Sequence, residues 1–257
     1  MDVILLGTGG ATPYASRVNP SVAIVIDDHI ILFDAGSGTT QRLVQAGLSS
    51  SNIDFICLSH LHADHCLEIP LLILDSYLKG REKPITISGP AGTCDYIKAV
   101  MDSLYSYINQ LIIGVTGQSP QLNIMELQGG NVASTTYGAV ITCLPVVHGV
   151  PALAYKIESN QRRVVISGDT EKCDALAEFS KNADILIHEC PFPPSMGHSP
   201  GHTTAKEVGE IAHQAAARLV VLTHLFEETV GQEDALVSDV KQTFNGEVVV
   251  GRDLMRL

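Results

Sequence analysis

Short apolar runs that end at a glycine, an aspartate or a histidine recur along the whole chain. Apolar runs of this length, bounded by turn residues, are typical of buried β-strands. In the first half the pattern predicts strands at Val3–Leu6, Val22–Ile26, Ile30–Phe33, Phe55–Leu58 and Ile85–Ser88. Asp27-Asp28-His29 separates the second and third of these strands, so the two are expected to form a hairpin.

Helical spacing alternates with these strands. Thr40, Leu43 and Val44 lie on one helical face, and Gly47 is placed to end that helix. A second amphipathic helix is indicated by apolar residues at positions i, i+3, i+4 and i+7, which are Ile97, Val100, Met101 and Leu104.

The second half of the chain repeats this mixture. It predicts strands at Ala139–Val147, Ala152–Ile157, Val164–Ser167, Asp184–His188, Leu219–Leu222 and Val248–Val250. A short helix fits Asp174–Ser180, and Thr204-Ala205-Lys206-Glu207 matches a capping box that starts another. The apolar face of that helix is Val208, Ile211, Ala212 and Ala215, and the last helix is marked by Val237, Val240 and Phe244.

Two mixed halves of strands and helices indicate an α+β fold with four layers, αββα, in which two mixed sheets pack together and the helices lie outside. We find no linker, no low-complexity segment and no short repeat, so we expect residues 1–257 to form a single domain. The pattern alone leaves the strand topology open.

The chain has 257 residues and a formal net charge of −12, from 16 basic and 28 acidic side chains. Such a surface repels polyanions at long range, so bulk charge does not indicate a nucleic-acid partner. The first apolar run stops at Gly7, too short for a signal core or a membrane span. The six cysteines are scattered, which favours reduced thiols in a cytoplasmic protein without a membrane partner.

The strongest chemical signal is Ser59-His60-Leu61-His62-Ala63-Asp64-His65, directly after a predicted buried strand. In an extended chain alternate residues point the same way, so His60 and His62 can share one metal ion. Asp64 and His65 can reach a second ion where the chain turns. Imidazole and carboxylate suit Zn²⁺, Fe²⁺ or Mn²⁺. The alternative is a polar loop whose histidines are solvated or structural.

Three further candidates end predicted strands: His148, Asp169 and His224. Taken singly, each has an ordinary explanation, because a strand-end histidine is common and an aspartate can cap a helix or form a turn. Together they repeat one arrangement, in which a buried strand delivers a histidine or an aspartate at its carboxyl end.

With these residues the sequence resembles the metallo-β-lactamase-fold hydrolases, and within them the ribonuclease Z and arylsulfatase branch. The resemblance extends along nearly the whole chain. It is carried by the ligand pattern and by the segments Gly7-Thr8-Gly9-Gly10-Ala11-Thr12-Pro13, Phe33-Asp34-Ala35-Gly36-Ser37-Gly38-Thr39, Gly168-Asp169-Thr170, Ile187-His188-Glu189, Gly201-His202-Thr203-Thr204-Ala205 and Leu222-Thr223-His224.

The resemblance implies a pair of divalent cations, Zn²⁺ first and Mn²⁺ or Fe²⁺ as alternatives. By resemblance, one cation is held by His60, His62 and His148, the other by Asp64, His65 and His224, and Asp169 bridges them. Asp34 would hydrogen-bond a ligand histidine and fix its tautomer. Asp34 could instead only satisfy backbone donors in the following turn.

Two such cations sharing a water molecule would supply hydroxide near neutral pH. By resemblance, Asp64 orients this nucleophile, His202 protonates the leaving oxygen, and Glu189 holds the imidazole of His202. The alternative for His202 is a residue that merely enters the helix next to Thr204.

These roles predict a metal-dependent phosphodiesterase that acts on a small or cyclic diester or on an RNA end. The tRNA-processing members of the branch carry a long basic arm, for which the 20 residues 149–168 leave no room. Those enzymes also tend to follow their last ligand histidine with a Ser-Arg pair, whereas here Leu225-Phe226-Glu227-Glu228 follows His224 and places acids where phosphate contacts would help. We therefore disfavour tRNA 3′ processing. Further alternatives are an ester, thioester, lactone or aryl sulfate hydrolase and a non-catalytic metal-binding partner protein. The expected partners are a small anionic or ester substrate and, by resemblance, a second copy in a homodimer.

Overall fold

Two seven-stranded β-sheets form the centre of the protein in the computed structural model, which describes residues 1–12, 14–135 and 137–257. The first sheet has the order β14-β1-β2-β3-β4-β5-β6. Its strands are β1 (Asp2–Gly7), β2 (Ser21–Ile26), β3 (His29–Phe33), β4 (Ile53–Cys57), β5 (Ile85–Gly89), β6 (Leu122–Glu126) and β14 (Met255–Arg256). Strands β3 to β6 run parallel, and the others in this sheet pair antiparallel.

The second sheet has the order β13-β12-β11-β10-β9-β8-β7. Its strands are β7 (Gly130–Ser134), β8 (Val140–Val146), β9 (Ala152–Ser159), β10 (Arg162–Ile166), β11 (Ile185–Glu189), β12 (Leu219–Thr223) and β13 (Glu247–Val250). Strands β10 to β13 are parallel, while β8 and β10 both pair antiparallel with β9.

Helices cover the outer face of each sheet. The helices are α1 (Thr39–Gln45), α2 (Ala63–Cys66), α3 (Ile69–Leu78), α4 (Thr93–Lys98), α5 (Ser106–Thr116), α6 (Asp174–Phe179), α7 (Ala205–Ala215) and α8 (Glu233–Val240). A π-helical segment, Ala99–Leu104, joins α4 to α5, and single 3₁₀ turns lie at Ser50–Asn52, Pro194–Met196 and Glu227–Thr229. The expected four layers, αββα, are therefore present.

The apolar side chains form one cluster between the sheets and one under each helical layer. Alternation along the strands explains this division, because successive side chains of a strand point to opposite faces. In β1, Val3 and Leu5 face the second sheet, whereas Ile4 and Leu6 face the helices. Both sheets are thus covered on both sides, as long apolar runs in parallel strands require.

The structure differs from the sequence pattern at three positions. Leu104 is 71 % exposed, because the helix predicted around Ile97 changes to π-helical hydrogen bonding and loses the 3.6-residue period. Val44 is 57 % exposed although α1 forms as predicted. Phe244 is buried but lies beyond the end of α8. Of the glycine-rich segment that begins at Gly7, Pro13 lies outside the described residues.

Residues 149–168 form the β9–β10 hairpin and little else. Asn160 and Gln161 make its turn with positive φ angles of 50° and 63°, a pairing typical of tight hairpins. The two strands with a turn that the sequence predicted here are therefore present.

Strand β14 is the edge strand of the first sheet and lies next to β1, where Arg256 and Met255 pair with Ile4 and Leu5. Just before it, Asp253 accepts hydrogen bonds from the backbone and hydroxyl of Thr8 and from the backbone N–H of Val18. The loop that follows β1 is thereby tied to a segment 235 or more residues away.

Among the described residues, no helix combines the length and the apolar character needed to cross a membrane.

Helices α7 and α8 approach each other at Gly209, where an added Cβ would overlap the carbonyl oxygen of Val240. We expect Gly209→Ala to lower the free energy of unfolding by about 1–3 kcal/mol. The carbonyl of Val240 is part of the backbone and cannot move aside as the end of a flexible side chain can. Gly114→Ala on exposed α5, where a Cβ meets nothing within 4 Å, is the matched control. The control should gain up to about 1 kcal/mol from helix propensity. Urea denaturation tests both, and an equal gain would contradict the packing argument.

His188 is fully buried on the outer face of β11, and burial lowers its pKa to about 4. Because the unfolded chain takes up this proton near pH 6.5, the stabilisation is complete above that pH and is lost as the pH falls towards 4. We expect His188→Asn to lose about 2 kcal/mol less stability than wild type between pH 7.5 and pH 5. Denaturation of both proteins with chelator present measures this difference, and parallel losses would refute it.

Candidate metal centre

The carboxyl ends of strands from both sheets meet at one edge of the molecule. Strands β3 and β4 run parallel in the first sheet, and β8, β10 and β12 share one direction in the second. Parallel strands deliver the residues that follow them to the same edge. The residues that follow these five strands are Asp34, the segment 59–65, His148, Asp169 and His224.

The first donor group is His60, His62 and His148. Nδ1 of His62 lies 2.9 Å from Nε2 of His60 and 3.3 Å from Nε2 of His148. One ligand atom from each residue lies within 4.8 Å of the others. His60 is fully buried, whereas His62 is exposed to solvent. The spacing predicted from alternate residues in extended chain is therefore present, with the third donor arriving from the second sheet.

The second donor group is Asp64, His65 and His224. Oδ2 of Asp64 lies 3.3 Å from Nε2 of His65 and 3.3 Å from Nε2 of His224. Asp64 and His65 belong to the single-turn helix α2, which turns them away from the extended segment before it.

Asp169 lies between the two donor groups. Its Oδ2 is 3.8 Å from Nε2 of His60, 3.5 Å from Nε2 of His65 and 3.2 Å from Nε2 of His224. One carboxylate oxygen thus faces a histidine of the first group and two of the second. The structure brings together all seven side chains that the sequence singled out as candidate ligands.

Asp34 lies behind the site and orients His65. Its Oδ2 accepts a hydrogen bond from Nδ1 of His65 over 2.8 Å, which leaves Nε2 free to face the donor group. Its Oδ1 accepts the backbone N–H of Ser59 over 2.7 Å. The expected contact between Asp34 and a candidate ligand histidine is therefore present.

The sequence analysis missed Ser59 as a contributor. Its hydroxyl donates to Oδ2 of Asp34 over 2.8 Å and lies 3.0 Å from Nδ1 of His60. Ser59 therefore links the carboxylate behind the second donor group to a histidine of the first. Its place before His60 was visible in the sequence, but the partner at Asp34 follows only from the pairing of β3 with β4.

Gly201 was quoted only as part of a family segment, yet it contacts the site directly. Its carbonyl oxygen accepts a hydrogen bond from Nδ1 of His148 over 2.8 Å, which directs Nε2 of that ring into the first donor group. Gly201 has a φ of +82°, and a Cβ there would lie 3.0 Å from the same ring nitrogen. A glycine is needed for both reasons.

Two site residues adopt left-handed backbone conformations that are unusual outside glycine. Asp34 and His224 both have a φ of 58°. Such residues cost about 1–3 kcal/mol each and persist where the surroundings hold them. At Asp34 the surroundings include the backbone N–H donated to the carbonyl of Cys57 over 3.0 Å, at the end of the neighbouring strand.

Protonation states at the site suit a cation. Burial, aided by the positive charge of His65, lowers the pKa of His60 to about 2, so its ring is neutral. Burial acts to raise the pKa of Asp169, but His224 and His65 outweigh it and hold that pKa well below its usual range. Cations bind neutral imidazole and ionised carboxylate, which are the forms of His60 and Asp169 here. Burial acts to lower the pKa of His65, but Asp169 and Asp34 outweigh it and hold that pKa well above its usual range, so a cation would displace the proton of His65.

The donor atoms fit a pair of divalent cations. Within the described part of the chain, Nε2 of His65 is buried without a hydrogen-bond partner although two carboxylate oxygens lie within 3.5 Å of it. A cation between these atoms would satisfy the nitrogen and neutralise the carboxylates. Imidazole and carboxylate without thiolate suit Zn²⁺, Mn²⁺ or Fe²⁺.

His202 and Glu189 lie beside the second donor group. The ring centres of His202 and His224 are 5.6 Å apart. Backbone N–H groups of Thr170 and Thr203 donate to Oε1 of Glu189, and its Oε2 lies 3.3 Å from Nδ1 of His202, outside hydrogen-bond geometry. Burial, reinforced by the negative charge of Asp169, raises the pKa of Glu189 well above its usual range. His202 also lies within 4.8 Å of donor atoms of Asp169 and His224.

Comparison with known proteins agrees with the resemblance seen in the sequence. Residues 29–225 match the model of the beta-lactamase superfamily domain. Ribonuclease Z of Methanosarcina mazei is 30 % identical over 310 aligned positions, which cover 100 % of this chain and 97 % of that protein. The alignment is longer than the chain of 257 residues, so that relative has residues without a counterpart here.

Solved structures share the fold. The metallo-beta-lactamase fold protein YhfI from Bacillus subtilis superposes with a TM-score of 0.81 at 26 % identity, over 100 % of this chain and 98 % of the other. The human tRNase Z, short form, superposes with a TM-score of 0.80 at 23 % identity over the same fractions. The chain belongs to the beta-lactamase superfamily and is a metal-dependent hydrolase.

Proposed function

We propose that the protein hydrolyses phosphodiester bonds with two divalent cations, Zn²⁺ in the first instance. His60, His62 and His148 would hold one cation, Asp64, His65 and His224 the other, and Asp169 would contact both. The observation that carries the proposal is the convergence of these donor atoms from both sheets within 4.8 Å of one another in each group. This shared site also supports treating residues 1–257 as one domain. We also propose that the protein is located in the cytoplasm.

When bound, a pair of cations lowers the pKa of water towards neutrality and stabilises negative charge on the phosphoryl oxygens. The side chain of Asp64 would accept a hydrogen bond from the attacking water and orient it. His202, whose side chain is 17 % exposed, would donate a proton from Nε2 to the leaving oxygen as the P–O bond breaks. Glu189, held by two backbone N–H groups, would position His202 through Nδ1.

The names of the relatives favour RNA as the substrate of this protein. Curated relatives at about 30 % identity are named ribonuclease Z, and they support tRNA 3′ processing better than the small-diester interpretation favoured by the sequence alone. We therefore propose the 3′ end of a precursor tRNA as the first substrate to test.

A small phosphodiester is the second candidate, and two observations favour it. The β9–β10 hairpin occupies nearly all of residues 149–168, where the tRNA enzymes of the branch carry their basic arm. Glu227 and Glu228, both exposed, follow His224 closely and would repel a polynucleotide backbone.

A substrate panel separates these possibilities. The purified protein is analysed for metal content and assayed on a precursor tRNA with a 3′ trailer, bis(p-nitrophenyl) phosphate, and nitrophenyl acetate, nitrophenyl sulfate and a lactone. Diester cleavage that disappears with chelator and returns with Zn²⁺ supports the proposal. Ester or lactone turnover without diester cleavage would replace it with an esterase, and full metal content without any turnover would indicate a non-catalytic protein.

We expect His202→Ala to lower kcat on the active diester about 10²- to 10⁴-fold, because the leaving oxygen loses its proton donor. Metal content should stay at the wild-type level, as measured by elemental analysis. His198→Ala removes an exposed histidine from the same loop and serves as the matched control, with kcat expected within about twofold of wild type. Loss of metal in His202→Ala would instead assign this residue to the ligands.

We expect Ser59→Ala to weaken binding of the cation at the first donor group about 10- to 100-fold, because Nδ1 of buried His60 loses its hydroxyl partner. Ser59→Thr keeps the hydroxyl and should bind as wild type does. Calorimetric titration of metal-free protein with Zn²⁺ measures the affinities, and His148→Ala and His224→Ala identify which step belongs to which group. Asp34 keeps its hydrogen bond to His65 in this variant, so stronger weakening at the second donor group than at the first would contradict a role that acts mainly through His60.

A further inference from the structure

Two phenylalanines stand beside the candidate proton donor. Phe192 follows β11 and Phe226 follows β12, and together they are called the phenylalanine pair below. Their ring centres are 4.9 Å apart with 32° between the ring planes. The backbone N–H of Phe226 donates to the carbonyl of Pro191 over 3.0 Å, which fixes the two loops relative to each other.

Core packing does not account for this pair. Among the described residues, neither Phe192 nor Phe226 belongs to the three apolar clusters or to the side chains packed against them. Both phenylalanine side chains are only partly buried. The loop after β1 makes room for Phe226, because a Cβ on Gly10 would overlap its ring. The ring therefore rests on bare backbone and keeps a defined position.

The pair adjoins the groups that would act on the leaving oxygen. The ring of Phe192 meets that of His202 edge-on, at 6.2 Å between centres and 90° between planes. The ring centres of Phe226 and His224 are 5.7 Å apart. A group bonded to an oxygen that accepts the proton of His202 thus comes within reach of the phenylalanine rings.

Charge around the pair selects against an anionic occupant. Glu227 and Glu228 follow Phe226 directly and are both exposed. A phosphate at this place would be repelled, whereas a neutral planar ring would not. Nucleobases are neutral, planar and well suited to stacking on phenylalanine.

We propose that the phenylalanine pair stacks the base of the nucleoside that leaves through its 3′ oxygen. This inference rests on the proposed phosphodiester hydrolysis. In that reaction a water oxygen bonds to phosphorus, the bond from phosphorus to the 3′ oxygen breaks, and the leaving oxygen takes its proton from His202. The base of the departing nucleoside is held on Phe192 and Phe226 while this happens, so these two residues set the preference for a nucleoside leaving group.

The kinetic test compares substrates that differ only in that base. A dinucleoside monophosphate and a precursor tRNA are each prepared with adenine and with an abasic sugar at the leaving nucleoside. We expect wild type to prefer adenine in kcat/KM by roughly 5- to 150-fold, mainly through KM. Phe192→Leu and Phe226→Leu keep apolar bulk, and each should reduce the preference to below about threefold, because kcat/KM falls more for the adenine substrate than for the abasic one.

Phe179→Leu is the matched control, since this ring packs against Lys156 on the outer face of the second sheet. It should retain the full preference. Equal slowing of both substrates in the Phe192 and Phe226 variants would overturn the inference, because it would mean that the rings only position the histidines. Absence of an adenine preference in wild type would overturn it as well.

Adenosine binding, followed by NMR in zinc-loaded protein, separates this inference from the proposed function. If wild type cleaves no diester, the proposed hydrolysis fails by itself. The phenylalanine pair is then supported if adenosine binds wild type and binds each leucine variant several-fold more weakly. The pair is rejected if adenosine binds all these proteins equally.

Discussion

The structure depends on one constraint, which is the crowding of lone-pair donors where the carboxyl ends of strands from both sheets meet. Nitrogen and oxygen atoms of seven side chains face one another at 2.9–3.8 Å, and within the described residues Nε2 of His65 is buried without a hydrogen-bond partner. Such an arrangement is unfavourable without a cation, because buried polar atoms need partners. Contacts on the far side of the rings hold it in place: Asp34 on His65, Ser59 on His60 and Gly201 on His148.

Much of this site could be predicted from the sequence, for reasons that differ between residues. His60, His62, Asp64 and His65 are close in the chain, so their spacing alone indicates shared ligands. His148, Asp169 and His224 become neighbours only through the order of strands in the second sheet, which the apolar pattern does not determine. For these three the resemblance to a family supplied what spacing could not. Ser59 carries no local signal that distinguishes it from an ordinary loop residue, and Gly201 was marked only as part of a family segment, without its contact with His148.

The fold was predictable where strands were buried on both faces, because continuous apolar runs mark them. The pattern failed where local geometry departs from the regular period. Leu104 is spaced for an α-helix, but the π-helical segment moves it to the surface. Strands β6, β7 and β14 and helices α2, α3 and α5 were not assigned from the sequence. Most of these elements are short or mixed in apolar content, whereas α3 starts with six consecutive apolar residues that show no helical period. The substrate is harder to predict from the sequence than the fold is, because loop residues rather than strand residues determine which substrate binds.

The position of β14 bears on how the protein is made. A ribosome releases the chain from its amino end, so β1 emerges early while its neighbour β14 is added roughly 250 residues later. Until then one edge of the first sheet stays open, and the loop that carries Gly10 lacks its anchor at Asp253. The nascent protein therefore passes through a stage in which the edge of β1 is unpaired and the loop that follows β1 is not yet anchored. Unpaired strand edges can pair with other chains, so the nascent protein is exposed to aggregation at this edge until β14 docks.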